Sequence, residues 1–333
     1  MGQENIKLLM ARRPSGWVQE TDFQIVEEAV PQIRAGQFLV RNRYLSLDPY
    51  MRNRMNDAKS YAKPVAPGEV MVGETVGEVV ASRHPGFPEG TAVSGMFGWQ
   101  LYAVDDGTQS SRVEDLGVPL SAHLGVLGMP GMTAYVGLLD VAQPKAGETV
   151  VVSAAAGAVG SVVGQLAKIH GCRAVGLAGG PEKCRYAVEE LGFDACVDYK
   201  AGGVARALQE AAPGGIDVCF ENVGGEVFDA VLGLLNPFAR IALCGMVSQY
   251  NAPEPYGMKN LRSLLINRVR LQGFIIFDHK DRWPAARLDL ARWVREGRMR
   301  YRETIAHGIR SAPAAFIGML RGENIGKQLV KLD

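Results

Sequence analysis

The 333-residue sequence predicts an α/β protein, in which a doubly wound parallel sheet accompanies a second domain of antiparallel, barrel-like strands. Two observations carry this. Residues 25–108 read as short strands broken by Pro67-Gly68, Pro85-Gly86 and Glu89-Gly90, the pattern of an antiparallel domain. From about Leu120 onward, strand-like and helix-like segments alternate at βαβ spacing, the pattern of a parallel sheet.

In the first region, residues 37–45 and 76–80 are the clearest strands, rich in β-branched and aromatic side chains. In the second, residues 149–155 form a hydrophobic strand and 158–170 a helix. Residues 173–178 form the next strand, followed by a helix over 181–191 in which Pro181 suits the first turn. Strands over 195–199, 216–223, 240–245 and 269–277 complete six, enough for two mononucleotide-binding halves. A helix over 311–321 and a strand over 327–332 close the chain. This tail is expected to return to the N-terminal domain, so that residues 1–122 and 300–333 form one domain and 123–299 the other.

Composition narrows the function classes. The chain is 47% hydrophobic and 21% charged, with a net charge of +1. Such balance provides no field for nucleic acid or an anionic membrane. Residues 1–7 lack the apolar core of a signal peptide, and Ile6 stands where an acylation motif beginning at Gly2 needs Ser or Thr. Residues 150–167 are uncharged, but Ser153, Gly157, Gly160, Ser161, Gly164 and Gln165 divide them into a strand and a helix, so no membrane span is expected. A cytoplasmic location follows as the expectation. The cysteines, Cys172, Cys184, Cys196, Cys219 and Cys244, are odd in number and confined to the predicted α/β region. That argues against a disulfide scaffold, and it leaves no thiolate for a zinc site in the N-terminal part. None of the five histidines lies in a His-rich motif, so no metal site is expected.

The chemistry-bearing motif is VVVSAAAGAVGSVVG, residues 150–164. A hydrophobic strand enters a glycine turn that opens a helix. Bare backbone at Gly157 and Gly160, with Ala158 and Val159 between them, lets a pyrophosphate approach the helix N-terminus and its amides. Gly164 is expected to let the helix pack closely on the strand, and Ala155 replaces the usual first glycine. The alternative is a glycine turn chosen for packing alone. Dinucleotide sites that prefer NAD carry an acid at the end of the second strand, on the ribose 2′-hydroxyl. Here Ala178-Gly179-Gly180 ends the strand, and Lys183 and Arg185 follow. A lysine there pairs with a 2′-phosphate, which favours NADPH; the alternative for Lys183 is an ordinary exposed helix lysine.

With these residues laid out, the chain resembles the zinc-independent alkenal/one and prostaglandin reductase branch of the medium-chain dehydrogenase/reductase superfamily, and is similar to curcumin reductases and plant double-bond reductases. The resemblance spans nearly the whole chain. Its markers are NRYLSLDPYMR at 42–52, GMPGMTAY at 128–135, the glycine turn, ENVGG at 221–225, CGMVSQYN at 244–251 and GENIGK at 322–327. It implies a Rossmann domain beside a GroES-like barrel, and a small-molecule substrate of the α,β-unsaturated carbonyl class rather than a macromolecule. It implies that Lys183 and Tyr199 contact the 2′-phosphate and that Asn222 lies beside the cofactor. Cys244, Gly245, Ser248 and Tyr250 would line the ribose and nicotinamide side, with Phe274, Ile275, Ile276 and Asn324 closing around the nicotinamide. Where members often carry Ser, Gly180 stands.

The resemblance further implies hydride delivery from NADPH to the β-carbon of an enone or enal, without metal, with Tyr50 stabilising the enolate oxygen. Structural alternatives stay open: Tyr50 as an interior aromatic, Tyr199 as cover for a strand edge, Cys244 as a small core residue, Asn222 as a turn cap. Ile266 replaces a tyrosine of some relatives, from which a more apolar pocket is expected. The competing functions are a quinone reductase and a non-catalytic, crystallin-like NADPH-binding protein. The β-branched sixth strand suggests a sheet edge that pairs two copies into a homodimer.

Overall fold

The computed structural model describes residues 4–332. It comprises two compact units, one formed by the chain up to Leu124 with the chain from Glu303 on, the other by Gly125–Arg302. The acylation reading at Gly2 lies outside the described residues. No helix among the described residues is long and apolar enough to cross a membrane.

The first unit begins with an antiparallel pair, β1 (Glu4–Met10) and β2 (Phe23–Ala29). Then come β3 (Phe38–Ser46), the short helix α1 (Tyr50–Arg54), β4 (Thr75–Ser82), β5 (Ala92–Gly95), β6 (Tyr102–Asp105) and β7 (Ser110–Arg112). The end of the chain adds β14 (Glu303–His307) and β15 (Lys327–Lys331), with helix α9 (Ala312–Leu320) between them. The sheet runs β14-β15-β3-β4-β5-β7, and β6 also pairs with β3. Because β15 lies antiparallel on β3, Leu329 faces Ser46, and the last strand is built into the N-terminal sheet. An aromatic cluster fixes the core: Phe23 stacks on Trp99 at 5.2 Å, and Phe316 of α9 meets Trp99 edge-on at 5.6 Å.

The second unit carries α2 (Met129–Tyr135), extended by a π-helical turn over Val136–Ala142. It continues with β8 (Thr149–Ser153), α3 (Gly160–Ile169), β9 (Arg173–Ala178), α4 (Pro181–Arg185) and β10 (Ala195–Asp198). After α5 (Val204–Ala211) come β11 (Ile216–Glu221), α6 (Gly225–Leu232), β12 (Leu235–Leu243), α7 (Arg262–Ile266), β13 (Arg270–Gly273) and α8 (Trp283–Arg295). The six strands are parallel, in the order β10-β9-β8-β11-β12-β13. The chain therefore winds outward from β8 on one side, returns beside it as β11, and winds outward again. This is the doubly wound Rossmann order, and its switch point lies between β8 and β11. Every residue of β8 is buried, as expected of a central strand covered on both faces.

One expected detail is corrected. The strand expected over 269–277 stops at Gly273, and residues 276–282 coil into a 3-10 turn; β13 is exposed along its length and has a partner on one side only, so packing does not extend it. Helix α3 packs on β8 and β9, and the space beside Gly164 is filled by a ring: a Cβ there would overlap Phe193, which is nearly fully buried. Gly164→Ala is accordingly expected to destabilise the protein by about 1–3 kcal/mol, the range for overpacking a filled core. A urea unfolding midpoint equal to that of the parent would contradict this contact.

Candidate active site

The residues expected to hold the cofactor in the second unit gather at the carboxyl ends of its strands. Between β8 and α3, the turn starts at Ala154, whose φ of 52° is left-handed although it bears a side chain. Gly157 N donates to Ala154 O at 2.9 Å, and Ser161 N returns to Gly157 O at 3.0 Å. The amides of 158–160 therefore stand at the start of α3, where the helix dipole favours an anion. The glycines divide their work. A Cβ on Gly160 would overlap the Ala154 carbonyl, so its bareness is used by the turn itself. A Cβ on Gly157 would meet nothing closer than 3.2 Å, which leaves that glycine as the bare surface a pyrophosphate can approach.

At the ends of β9 and β10, Gly180 N donates to Asp198 Oδ1 at 2.7 Å, and Lys200 N donates to the same oxygen at 2.9 Å. This pulls residues 198–200 across the strand end. A Cβ built on Gly179 would lie 2.5 Å from the Tyr199 hydroxyl and 3.0 Å from Lys200 Cε, so the bare Gly179 is covered by both side chains. Lys183 faces this group; burial, and then the charge of Lys200, lower its pKa, while Glu182 raises it. Lys183 and Lys200 thus both belong to the region after β9 where NAD sites place an acid, and no acid closes β9. Sequence reasoning named Lys183 and Tyr199 but not Lys200. The signal was present, since Lys200 directly follows Tyr199, but only the turn at Asp198 brings it over Gly179.

At the switch point, Asn222 N donates to Ser153 Oγ at 2.7 Å and Asn222 Nδ2 to Ser153 O at 2.8 Å. The side chain ties β11 to β8 rather than merely capping a turn. Glu221, fully buried, accepts from the amides of Val223 and Gly224 at 2.6 Å each and shapes the ENVGG loop. Its backbone carbonyl accepts from Cys244 N and Gly245 N, which holds the end of β12 alongside. Burial pushes the Glu221 carboxyl up to about 7, although the two amides and Ser153 pull it down. Burial, and then Glu221, raise the Cys244 thiol to about 12, so it is neutral. Ser248 Oγ donates to Val223 O at 2.6 Å, and Met246 N donates to the Tyr250 hydroxyl at 3.3 Å, which orders the segment after Cys244. Phe274 packs edge-on against Phe220 at 6.1 Å, Ile275 is half-buried, and Ile276 is buried. Ile266 ends α7 and is exposed beside Leu265 and Leu261, not set among these residues.

Tyr50 and Asn324 belong to the first unit. Tyr50 opens α1 immediately after Asp48-Pro49. Burial, then Asp48 and Glu74, hold its pKa well above the ordinary value, so its hydroxyl remains a proton-bearing donor at neutral pH. Asp48 is anchored by a buried ion pair: Lys327 Nζ lies 2.7 Å from Asp48 Oδ1 and donates to Leu47 O at 2.7 Å. Ser46 Oγ donates to the other carboxylate oxygen. Asn324, just before β15, donates to Gly326 O at 2.9 Å. Among the described residues, no three His, Cys, Asp or Glu side chains converge as a metal-binding set.

The arrangement fits a phosphorylated dinucleotide. It offers a bare glycine at a helix start, a paired ammonium group at the second strand end and polar loops across a switch point.

Glu221 makes the stability of this unit pH-dependent. Its folded pKa, about 7, exceeds the ordinary 4.5, so the folded state holds the proton more tightly than the unfolded chain. Its contribution to stability is fully present below about 4.5 and is lost as pH rises through about 7. Between pH 5 and 8, stability should fall by up to roughly 3 kcal/mol from this group, and Glu221→Gln should flatten that slope. Parallel profiles in denaturant titrations across that range would refute the assignment.

Comparisons with known proteins agree with this geometry. Residues 7–113 match a family model described as the N-terminal domain of oxidoreductase, and residues 158–292 one described as zinc-binding dehydrogenase. The chain is 50% identical to the NADPH-dependent curcumin reductase of Escherichia coli (strain K12), over 99% of this chain and 97% of that protein. It is 43% identical to the NADP(+)-dependent 2-alkenal reductase of Nicotiana tabacum, over 99% of this chain and 98% of that protein. The crystal structure of CurA from Vibrio vulnificus in complex with NADPH superposes with a TM-score of 0.94 at 49% identity, covering 98% of this chain and 99% of that one. A doubly wound nucleotide unit, a separate N-terminal sheet unit and full-length identity of this size lead to one assignment: the chain belongs to the medium-chain dehydrogenase/reductase superfamily, in its curcumin and alkenal reductase branch.

Proposed function

We propose that this protein is an NADPH-dependent reductase of the carbon–carbon double bond in α,β-unsaturated ketones and aldehydes. The observation that carries the cofactor choice is the pair Lys183 and Lys200, with Tyr199, at the end of β9 where no acid closes the strand. A doubly charged 2′-phosphate relieves the repulsion between two ammonium groups, and a ribose hydroxyl does not. The substrate class is supported by the curcumin and 2-alkenal reductases that match the chain from end to end.

In this proposal residues 123–299 form the nucleotide-binding domain, and residues 1–122 with 300–333 the substrate and catalytic domain. Gly157, Ala158, Val159 and Gly160 present the helix start to the pyrophosphate. Asn222, Cys244, Gly245, Ser248 and Tyr250 border the ribose and nicotinamide, and Phe274, Ile275, Ile276 and Asn324 enclose the nicotinamide. NADPH, when bound, supplies the hydride that adds to the substrate β-carbon. Tyr50 keeps its proton and donates to the carbonyl oxygen, which becomes an enolate oxygen as the hydride arrives. The Asp48–Lys327 pair holds the backbone ahead of Tyr50, and so the phenol's position. Protonation of the α-carbon completes the reduction.

A cytoplasmic homodimer completes the proposal. The exposed edge strand β13, with Leu271, and the exposed Leu265 and Phe238 nearby in the same unit, supply an apolar edge for a second copy. Leu271→Lys is expected to convert a dimer to a monomer in light scattering, and a monomeric parent protein would overturn this part.

The decisive experiment follows NADPH and NADH oxidation with matched enals, enones and quinones. Tyr50→Phe should lower kcat for enones about 10²-fold, the cost of one oxyanion donor; full activity would remove Tyr50 from the chemistry. Turnover of quinones without enones would replace the proposed substrate class, and tight NADPH binding without any turnover would leave a binding protein. Lys183→Ala should weaken NADPH binding roughly 10- to 100-fold while leaving NADH unchanged, as expected for a lost charge-assisted bond. Equal loss for both cofactors would contradict the phosphate assignment.

A further inference from the structure

Two of the five cysteines face each other. Cys184 lies in α4, one residue after Lys183, and Cys196 lies in β10, three residues before Tyr199. Helix α4 packs on β10, which brings the two thiols close enough for each to perturb the other's proton affinity. Their closeness has a visible cause in β9, where Gly176 pairs in register with Cys196 and has no side chain. A Cβ there would lie 3.1 Å from Cys196 Sγ, so the bare residue makes room for that sulfur. Neither thiol is fully buried, and neither is disulfide-bonded. The remaining cysteines offer no such pair: Cys172 bonds to backbone carbonyls, Cys219 contacts Glu221, and Cys244 lies at the end of β12.

We propose that Cys184 and Cys196 form a redox modification site, in which a hydroperoxide converts the two thiols to a disulfide that ties α4 to β10 and weakens NADPH binding beside it. The effect on NADPH rests on the cofactor reading above; the cross-link does not.

The two cysteines have unequal roles. Cys184 receives the Cys196 thiol and the Ala178 amide as donors, which favour its thiolate, whereas burial and Cys184 both push the Cys196 thiol up. Cys184 is therefore the attacking sulfur. It takes the terminal oxygen of the hydroperoxide, the O–O bond breaks, and the alcohol leaves with the thiol proton. Cys196 sulfur then attacks Cys184 sulfur and expels hydroxide, which leaves as water with the Cys196 proton. The two thiols lose two electrons and two protons, and the hydroperoxide is reduced to alcohol and water. Burial raises the Cys184 thiol overall, so the reaction accelerates as pH rises.

The mechanical consequence follows from lengths. Two unbonded sulfurs must close to about 2 Å to form the disulfide. Helix α4 absorbs that shift most readily, because it is short, begins at Gly180 with φ 106° and has no side-chain cap. Lys183 moves with Cys184, and the spacing of the ammonium groups around Gly179 changes.

The test treats the full-length protein with hydrogen peroxide or tert-butyl hydroperoxide, maps disulfides by peptide mass spectrometry without reduction, and measures NADPH and NADH affinities before and after. The expected result is a 184–196 cross-link, formed faster at pH 8.5 than at pH 7 (order-of-magnitude comparison, about tenfold per pH unit while the thiol predominates). NADPH affinity should drop about tenfold and recover with dithiothreitol, with NADH affinity changing little. Cys184→Ser and Cys196→Ser should bind NADPH as the reduced parent does and lose the response. No 184–196 cross-link, or a cross-link with unchanged NADPH affinity, overturns the proposal. If the reduced protein fails to bind NADPH at all, the cofactor reading is the one that fails, and the cross-link map alone decides the modification site.

Discussion

The contact between the bare Cα of Gly160 and the carbonyl of Ala154 is the constraint on which the nucleotide unit depends. It lets α3 begin directly against the end of β8, with no room for even a methyl group between them. The cost is visible at Ala154, whose left-handed φ a glycine would adopt more easily. What results is a rigid helix start, with its amides held at the end of the central strand. The buried Val162, Val163 and Leu166 of α3 secure the helix from the sheet side. Strain and packing together build a surface for an anion out of backbone alone.

The strand order extends this local feature into a site. Because β11 returns beside β8, the loops after these strands diverge, and Asn222 bonds back to Ser153 across the gap. Glu221 is the buried counterpart of that bond. Its carboxyl organises the amides of the next loop, while its carbonyl organises the start of the segment after β12. One residue thus shapes two of the loops proposed to border the cofactor, at the price of a carboxyl whose charge burial disfavours.

In the first unit the corresponding device is ionic. Strand β15 lies on β3, and Lys327 reaches Asp48 and Leu47 with little exposure to water. A buried pair is weak evidence for stability, because desolvation offsets much of the attraction. Its geometric effect is firmer: it ties the segment leading into Tyr50 to the far end of the chain. Sequence comparison of residues 42–52 and 322–327 marked both segments, but nothing in either sequence stated that they touch.

Much of the architecture was legible because it depends on local patterns. Apolar runs of strand length, helical segments between them and a glycine turn in the right place determine a doubly wound sheet, since few other packings cover all those faces. The missing acid after β9 and the presence of Lys183 were legible for the same reason. Other features depend on which surfaces meet. Lys200 is an unremarkable lysine until Asp198 folds it over Gly179, and Cys184 and Cys196 are eleven residues of helix and loop apart until Gly176 makes room for a sulfur. The sixth strand ended early because an edge strand has one partner and little burial to extend it. The sequence by itself thus determined the elements, their order and the glycine turn after β8, which follow from periodicity and backbone chemistry. Only the tertiary structure decided which side chains share an environment, because burial, charge pairing and close approach are properties of neighbours in space.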